Sequence, residues 1–183
     1  MVRAAFCRFA ICLVFCEAMF AAAPSVWLDV PFIQQQSEGC GSASIAMVMQ
    51  YWQKQQGQPL TPESGEPAIF RALYSEKDHG ILASSLEGYL RDHGFRTFAF
   101  HGTWEDLQHH LHQGRPLIAA LKPTGASALH YVVVTGLDSD RKLVVVNDPA
   151  QRKLLKQERA KFEQQWHSTG NWTLLAVPQS SSH

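Results

Sequence analysis

Cys40 is the residue of this sequence best suited to nucleophilic chemistry. It lies in the segment Gln34-Gln-Gln-Ser-Glu-Gly-Cys40-Gly41, with a glycine on each side and an apolar helical pattern after it. A thiol in the first turn of a helix is favoured in its thiolate form by the helix dipole. The alternative is an inert buried cysteine, which is the commoner fate of this residue type. The flanking glycines and the nearby glutamines favour a reactive thiol.

A cysteine nucleophile needs a base to take its proton, and the sequence offers nine histidines for that role. His130 is selected by its position at the start of His130-Tyr-Val-Val-Val-Thr-Gly136, a segment rich in β-branched residues. A polar residue at the start of such a strand is unusual unless it has a partner. A histidine satisfied within the core is the structural alternative.

The partner of His130 follows from the hairpin that joins two predicted strands. If this hairpin is centred on Ser139, antiparallel pairing places His130 opposite Asp148 and on the same face. The same register also pairs valine with valine, Val132 with Val146 and Val134 with Val144. Asp148 precedes Pro149 and could simply open a turn. Asn147 is the other candidate orienter, but strand alternation directs it to the opposite face.

Gln34 is the predicted donor to the oxyanion that forms during acyl transfer. It stands six residues before Cys40, and its side-chain amide would act together with the backbone N–H of Cys40. Gln35 and Gln36 carry the same amide group next to it, so only the spacing favours Gln34.

The elements that must position these residues are predicted from apolar periodicity and capping residues. The predicted helices are Cys40–Gln55, Thr61–Tyr74, Leu82–Gly94, Thr103–Gly114 and Glu158–His167. The predicted strands are Phe95–Phe100, Pro116–Leu121, Leu129–Leu137, Leu143–Asn147 and Trp172–Val177, preceded by a short extended segment, Val26–Phe32. Helices dominate the first half and antiparallel strands the second, which indicates an α+β domain of two packed layers.

The N-terminus has the order of a cleaved secretory signal peptide. Two arginines precede an apolar run, and the small residues Ala21–Ala23 follow it. We therefore expect a signal peptide over residues 1–23, one domain over 24–178, a flexible tail over 179–183, and an exported, periplasmic or extracellular protein. Membrane association is expected only if the leader stays uncleaved or if Cys16 is lipidated.

Removal of the leader simplifies both the charge and the cysteine content. The full chain has 16 basic and 16 acidic residues, and the mature chain would keep 14 and 15, a net charge of −1. Such a balance gives no indication of a nucleic-acid partner. Cys40 becomes the sole cysteine, an unpaired thiol in an oxidising compartment. We expect a monomer that acts on a peptide or protein.

Four separated motifs together resemble a known family. Gln34-x5-Cys40-Gly41-x-Ala43, His130-Tyr-Val-Val-Val-Thr-Gly136 and Val146-Asn-Asp148-Pro149 occur in this order, with Phe162-x3-Trp166 near the end. This set resembles the bacteriocin-processing cysteine peptidases, relatives of papain. The resemblance implies a papain-like fold with Cys40 as nucleophile, His130 as base, Asp148 as orienter and Gln34 in the oxyanion hole.

The best-known members of that family cut leader peptides after Gly-Gly and are fused to an export ATPase. This sequence has no Gly-x4-Gly-Lys-Ser/Thr phosphate loop and no transmembrane bundle. Peptidase chemistry is therefore the central expectation, with cleavage after Gly-Gly as one specificity. A non-cleaving peptide-binding module and a thiol amidase or transpeptidase of cell-wall peptides are the alternatives.

No metal or cofactor is expected. His109, His110 and His112 form the most suggestive cluster, but no cysteine lies near them in the sequence. Zinc usually requires three or four converging ligands. A solvated helical face is the preferred interpretation of these histidines.

Overall fold

Five α-helices and seven β-strands make up residues 25–179, the part of the chain that the computed structural model describes. The predicted signal peptide, and the tail after Gln179, lie outside these residues. The helices are α1 (Cys40–Gln55), α2 (Glu66–Leu73), α3 (Ala83–Asp92), α4 (Trp104–His112) and α5 (Arg159–His167). The strands are β1 (Val26–Trp27), β2 (Phe95–His101), β3 (Leu117–Leu121), β4 (His130–Asp138), β5 (Leu143–Asp148), β6 (Arg152–Glu158) and β7 (Trp172–Pro178).

The strands form one antiparallel sheet in the order β2-β7-β3-β4-β5-β6, and the short β1 pairs with β4. Helix α1 packs against β4 and against α2. This arrangement of helices on an antiparallel sheet confirms the predicted α+β class. Within residues 25–179, no helix is both long and apolar enough to cross a membrane.

Strand β4 divides the core into two layers because its side chains alternate between the faces of the sheet. Val133 points to the layer that contains α1, whereas Val132 and Val134 point to the layer that contains α4 and α5. All three valines are fully buried. The β-branched run predicted as a strand is therefore covered on both sides.

Helix α1 is buried along most of its length, from Gly41 to Met49. Small residues in its first two turns let neighbouring elements approach closely. The helix thus reaches from the core to the surface with Cys40 as its first residue. This position is the one predicted from the sequence.

Two predictions about the elements were wrong in detail. The helix predicted over Thr61–Tyr74 is a 3-10 turn, Pro62–Ser64, followed by α2, because Gly65 adopts an extended conformation between them. Strand β6 was not predicted. Its sequence, Arg-Lys-Leu-Leu-Lys-Gln-Glu, has no β-branched residue, and it becomes a strand by pairing with the edge of β5.

Candidate active site

Cys40 is partly exposed at the N-terminus of α1, and it is the free cysteine of the described residues. Steric crowding explains why a glycine stands on each side of Cys40. A Cβ on Gly39 would lie 2.8 Å from the carbonyl oxygen of Gln36, and one on Gly41 would lie 3.2 Å from Cβ of Ile81. The two glycines therefore let the chain pack tightly around the thiol.

The first turn of α1 is held from below by a buried carboxyl group. Glu66, which is 4 % exposed, begins α2, and its Oε1 lies 2.9 Å from Oγ of the fully buried Ser42. The single hydroxyl hydrogen of Ser42 is shared between this oxygen and the carbonyl of Gly39, also at 2.9 Å. This contact fixes the Gly39 peptide, and with it the backbone N–H of Cys40.

His130 and Asp148 form a direct pair, with 2.8 Å between Nε2 and Oδ1. Burial lowers the pKa of His130, but the hydrogen bonds and negative charges of Asp148 and Cys40 outweigh it and raise the pKa to about 9. Since Asp148 occupies Nε2, the other ring nitrogen, Nδ1, is left for the thiol of Cys40. The structure thus brings Cys40, His130 and Asp148 together in that order.

Asp148 is almost fully buried, with 2 % of its surface exposed. Burial raises its pKa, but the His130 contact and two further donors lower it overall. These donors are the backbone N–H of Ala150, at 3.0 Å from Oδ1, and Nε2 of Gln151, at 2.5 Å from Oδ2. The carboxylate is therefore held in one orientation toward the imidazole.

The hairpin register that predicted this pair was wrong by two residues. Val134 pairs with Val146, where Val132 had been predicted, and Val133 pairs with Asn147. A β-bulge lies between Val134 and Gly136. On its turn side, where Gly136 pairs with Val145, the register differs from the predicted one by three residues. Since side chains alternate with a period of two, an offset of two leaves His130 and Asp148 on one face as diagonal neighbours.

Asn147 has a different function from Asp148, as strand alternation indicates. Its Nδ2 donates to the carbonyls of Val30 and Pro31, each at 3.2 Å, and its Oδ1 accepts from the N–H of Leu154 at 3.0 Å. It therefore anchors the extended segment 28–36, called the strap below, to the end of β5.

The strap carries the glutamines, and of Gln34 and Gln35 it is Gln35 that lines the cleft containing the thiol. Gln34 is exposed and does not line the cleft that contains Cys40 and His130, whereas Gln35 is partly buried and lines it. The Nε2 of Gln35 has two hydrogens, and the carbonyl of Ser37 accepts one, at 2.5 Å. The glutamine that lines the cleft therefore lies one residue after Gln34, the residue that the spacing favours.

The cleft around Cys40 has a volume of about 780 Å³. Its walls are residues 78–83, ahead of α3, and residues 127–131, at the start of β4. Leu82 and Leu129 both line the cleft, with about half of their surface exposed, at 50 % and 49 %. An open, partly apolar groove of this size can accommodate an extended peptide.

The histidine cluster on α4 is separate from this site. His110 packs against Phe100, and burial lowers its pKa, while His109 and His112 are exposed. Residues 25–179 contain no group of three or more potential ligands placed to hold a metal ion.

Comparison with solved structures defines the fold as that of papain-like peptidases. The peptidase domain of Streptococcus ComA, a bifunctional ABC transporter, has a TM-score of 0.63 and 21 % identity, covering 82 % of this chain and 98 % of that one. A double-glycine-motif protease from an AMS/PCAT transporter, solved with its leader peptide, has a TM-score of 0.62 and 23 % identity, covering 84 % and 95 %. A protein from Bacillus anthracis described as a C39-like peptidase has a TM-score of 0.62 and 22 % identity, covering 86 % and 99 %.

The sequence itself gives the family. The model of the Peptidase_C39 like family matches residues 27–174, so this chain belongs to that family of peptidases. A search of curated proteins finds no significant match.

Proposed function

We propose that this protein is an exported cysteine peptidase. The observation that carries the proposal is the alignment of Cys40, His130 and Asp148 at one edge of a cleft wide enough for a peptide. Family membership supports peptidase chemistry. Export rests on the leader-like sequence of residues 1–23.

In the proposed mechanism, His130 takes the proton of the Cys40 thiol, and the sulfur attacks the carbonyl carbon of the scissile bond. The imidazolium then donates a proton to the leaving amine, and a thioester forms on Cys40. His130 next removes a proton from water, which attacks the thioester and restores the thiol. Asp148 stabilises the imidazolium and fixes the ring in both steps.

The oxyanion would be held by two N–H donors. As the first residue of α1, Cys40 has a backbone N–H with no acceptor inside the helix. Gln35 supplies the second donor through the hydrogen of Nε2 that Ser37 does not use.

Substrates cut after Gly-Gly are part of the proposal. The solved double-glycine protease carries a leader peptide on a similar fold, and that likeness supports the substrate class. We therefore propose peptides with a small residue before the scissile bond.

The test uses the mature protein and an epoxide inhibitor directed at papain-like thiols, with the adduct located by mass spectrometry. Wild type should be labelled at Cys40, whereas Cys40→Ser should not react and His130→Ala should react at least tenfold more slowly. A Gly-Gly peptide library should then be cleaved by wild type alone.

The two outcomes of this test have distinct meanings. Labelling of Cys40 no faster than that of a free cysteine peptide at pH 7 would overturn the proposed mechanism. Labelling without cleavage of any peptide, combined with peptide binding by wild type and Cys40→Ala, would instead identify a binding module.

A further inference from the structure

A second cavity lies on the other side of His130 from the thiol. It has a volume of about 650 Å³ and is lined by His130, Asp148, the end of β3, the strand β6 and the helix α5. Neither Cys40 nor Gln35 lines it. His130 is therefore shared by two cavities, only one of which contains the nucleophile.

The reaction chemistry indicates which part of a bound substrate each cavity would hold. The acyl carbon of a substrate must lie within reach of Cys40 and the oxyanion donors, which belong to the cleft. The leaving amine must lie within reach of the proton on His130. Residues after the scissile bond therefore continue past His130, toward the second cavity. This step rests on the proposed function.

The two cavities differ in charge. In the second cavity, Lys156 of β6 and Lys161 of α5 lie with one acidic residue, Glu158, besides the Asp148 that His130 compensates. Within residues 25–179, neither lysine forms an ion pair within 4 Å, and Lys156 also borders a neighbouring cavity lined by Trp27 and Val145.

The cleft on the thiol side has the opposite balance. It is lined by the carboxylates of Glu38 and Asp78 and by two further titratable groups outside the catalytic set, His79 and the neutral phenol of Tyr131. His79 Nδ1 lies 3.8 Å from Glu38 Oε1. At neutral pH the cleft is therefore negative where the second cavity is positive.

We propose that the second cavity is the subsite for the residues that follow the scissile bond, and that Lys156 and Lys161 select a carboxylate there. The substrate class is a peptide with Asp or Glu within the first residues after the cleaved bond. The amides of Gln151, Gln157 and Gln165 line the same cavity and can bond to the peptide backbone or to the carboxylate.

The experiment compares quenched fluorescent peptides that are identical before the cleaved bond and carry Glu, Gln or Lys after it. These three peptides have amidated C-termini, and a fourth peptide, with Gln after the cleaved bond, has a free C-terminal carboxylate, so that side-chain and terminal carboxylates are distinguished. We expect kcat/KM for the Glu peptide to exceed that for the Gln peptide by roughly threefold to tenfold, with a smaller advantage at high salt. The Lys peptide should be the slowest.

Substitutions of the two lysines test whether the preference for Glu over Gln comes from the second cavity. The double variant Lys156→Gln, Lys161→Gln should bring the Glu-to-Gln ratio to about one, and Lys161→Glu should reverse it. Lys142→Gln is the matched control because Lys142 is also exposed but lines neither cavity, so its ratio should equal that of wild type.

A wild-type ratio of one, or a ratio that survives the double variant, would overturn the subsite. If only the free C-terminal carboxylate accelerates cleavage, the selected group is the chain terminus rather than a side chain, and the proposed substrate class is wrong. Cleavage of the Gln peptide by wild type but not by Cys40→Ser supports the peptidase whatever the ratio. No Cys40-dependent cleavage of any peptide would overturn both proposals.

Discussion

The backbone N–H of Gln35 donates to the carbonyl of Pro149 at 3.0 Å, one residue beyond Asp148. The strap that carries the proposed oxyanion donor is thus fastened to the same strand end that carries the proposed orienter. Asn147 fastens the strap a second time, through Val30 and Pro31. The positions of the proposed oxyanion donor, Gln35, and of the proposed orienter, Asp148, therefore both depend on the last residues of β5.

Substitution of the two glutamines should separate their roles. Gln35→Ala removes the amide that lines the cleft, and we expect kcat to fall roughly 10²- to 10³-fold, with little change in KM. Gln34→Ala is the matched control, because Gln34 is exposed and outside the cleft, and it should retain near wild-type kcat. A large loss from Gln34→Ala with a small loss from Gln35→Ala would reverse the assignment.

Replacement of Asp148 should change the pH profile as well as the rate. The carboxylate raises the pKa of His130, so Asp148→Asn should lower that pKa and move the alkaline limb of kcat/KM to lower pH. Asn keeps an acceptor for Nε2, whereas Asp148→Ala keeps none and should lose roughly 10²-fold in kcat. Initial rates across pH 5 to 10 measure both effects, and an unshifted alkaline limb in Asp148→Asn would contradict this electrostatic role.

The His130 ion pair should also make stability depend on pH. The pKa of His130 is about 9 in the folded protein, above its ordinary value of 6.5. Because the folded state holds this proton more tightly, the stabilisation is fully present below about pH 6.5 and is lost as the pH rises through about 9. The shift corresponds to at most about 3 kcal/mol.

Urea unfolding of wild type and His130→Gln from pH 6 to pH 10 tests this dependence. The difference in free energy of unfolding between the two should shrink as the pH rises. The same series in a Cys40→Ser background shows how much of the effect comes from the thiol. A difference that stays constant or grows would contradict the raised pKa.

Two buried serines on α1 offer a matched test of the contact beneath the nucleophile. Ser42→Ala leaves the buried carboxyl of Glu66 without its donor, and we expect a loss of about 1–3 kcal/mol in the free energy of unfolding. Ser44 is equally buried, but its hydroxyl has no partner within the described residues. Ser44→Ala should therefore be neutral or stabilising, and equal losses from both would show that the Glu66 contact is not the cause.

Most of the helices and strands follow from local patterns, because burial on one face leaves a periodic trace in the sequence. Helix α4 is an example, since Thr103 and Asp106 form the capping box that its sequence indicates. Strand β6 leaves no such trace. Its residues become a strand through pairing with β5, which is a property of the neighbouring strand rather than of the segment itself.

The site shows the same division between local and non-local information. The pairing of His130 with Asp148 was correctly predicted from an incorrect register, since an error of two residues preserves the face. The error arises in the turn, which is centred between Asp140 and Arg141 rather than on Ser139 and gives an offset of three residues. The bulge near Thr135, where the Leu28 N–H of the strap donates to the Thr135 carbonyl at 2.8 Å, reduces this offset to two and so restores the face. Which of Gln34 and Gln35 lines the cleft likewise depends on the hydrogen bonds that hold the strap. The spacing of residues in the sequence gives no information about those bonds.

The short strand β1 is a thermal weak point ahead of the strap. It pairs with β4 through only two residues, Val26 and Trp27, and 56 % of the surface of Trp27 is exposed. Segments with few buried contacts open at lower free energy than the core. Warming should therefore release β1 first, whereas the strap stays held by Asn147 and by the fully buried Val30. Loss of β1 alone would leave Gln35 in place, so activity should persist until the protein itself melts.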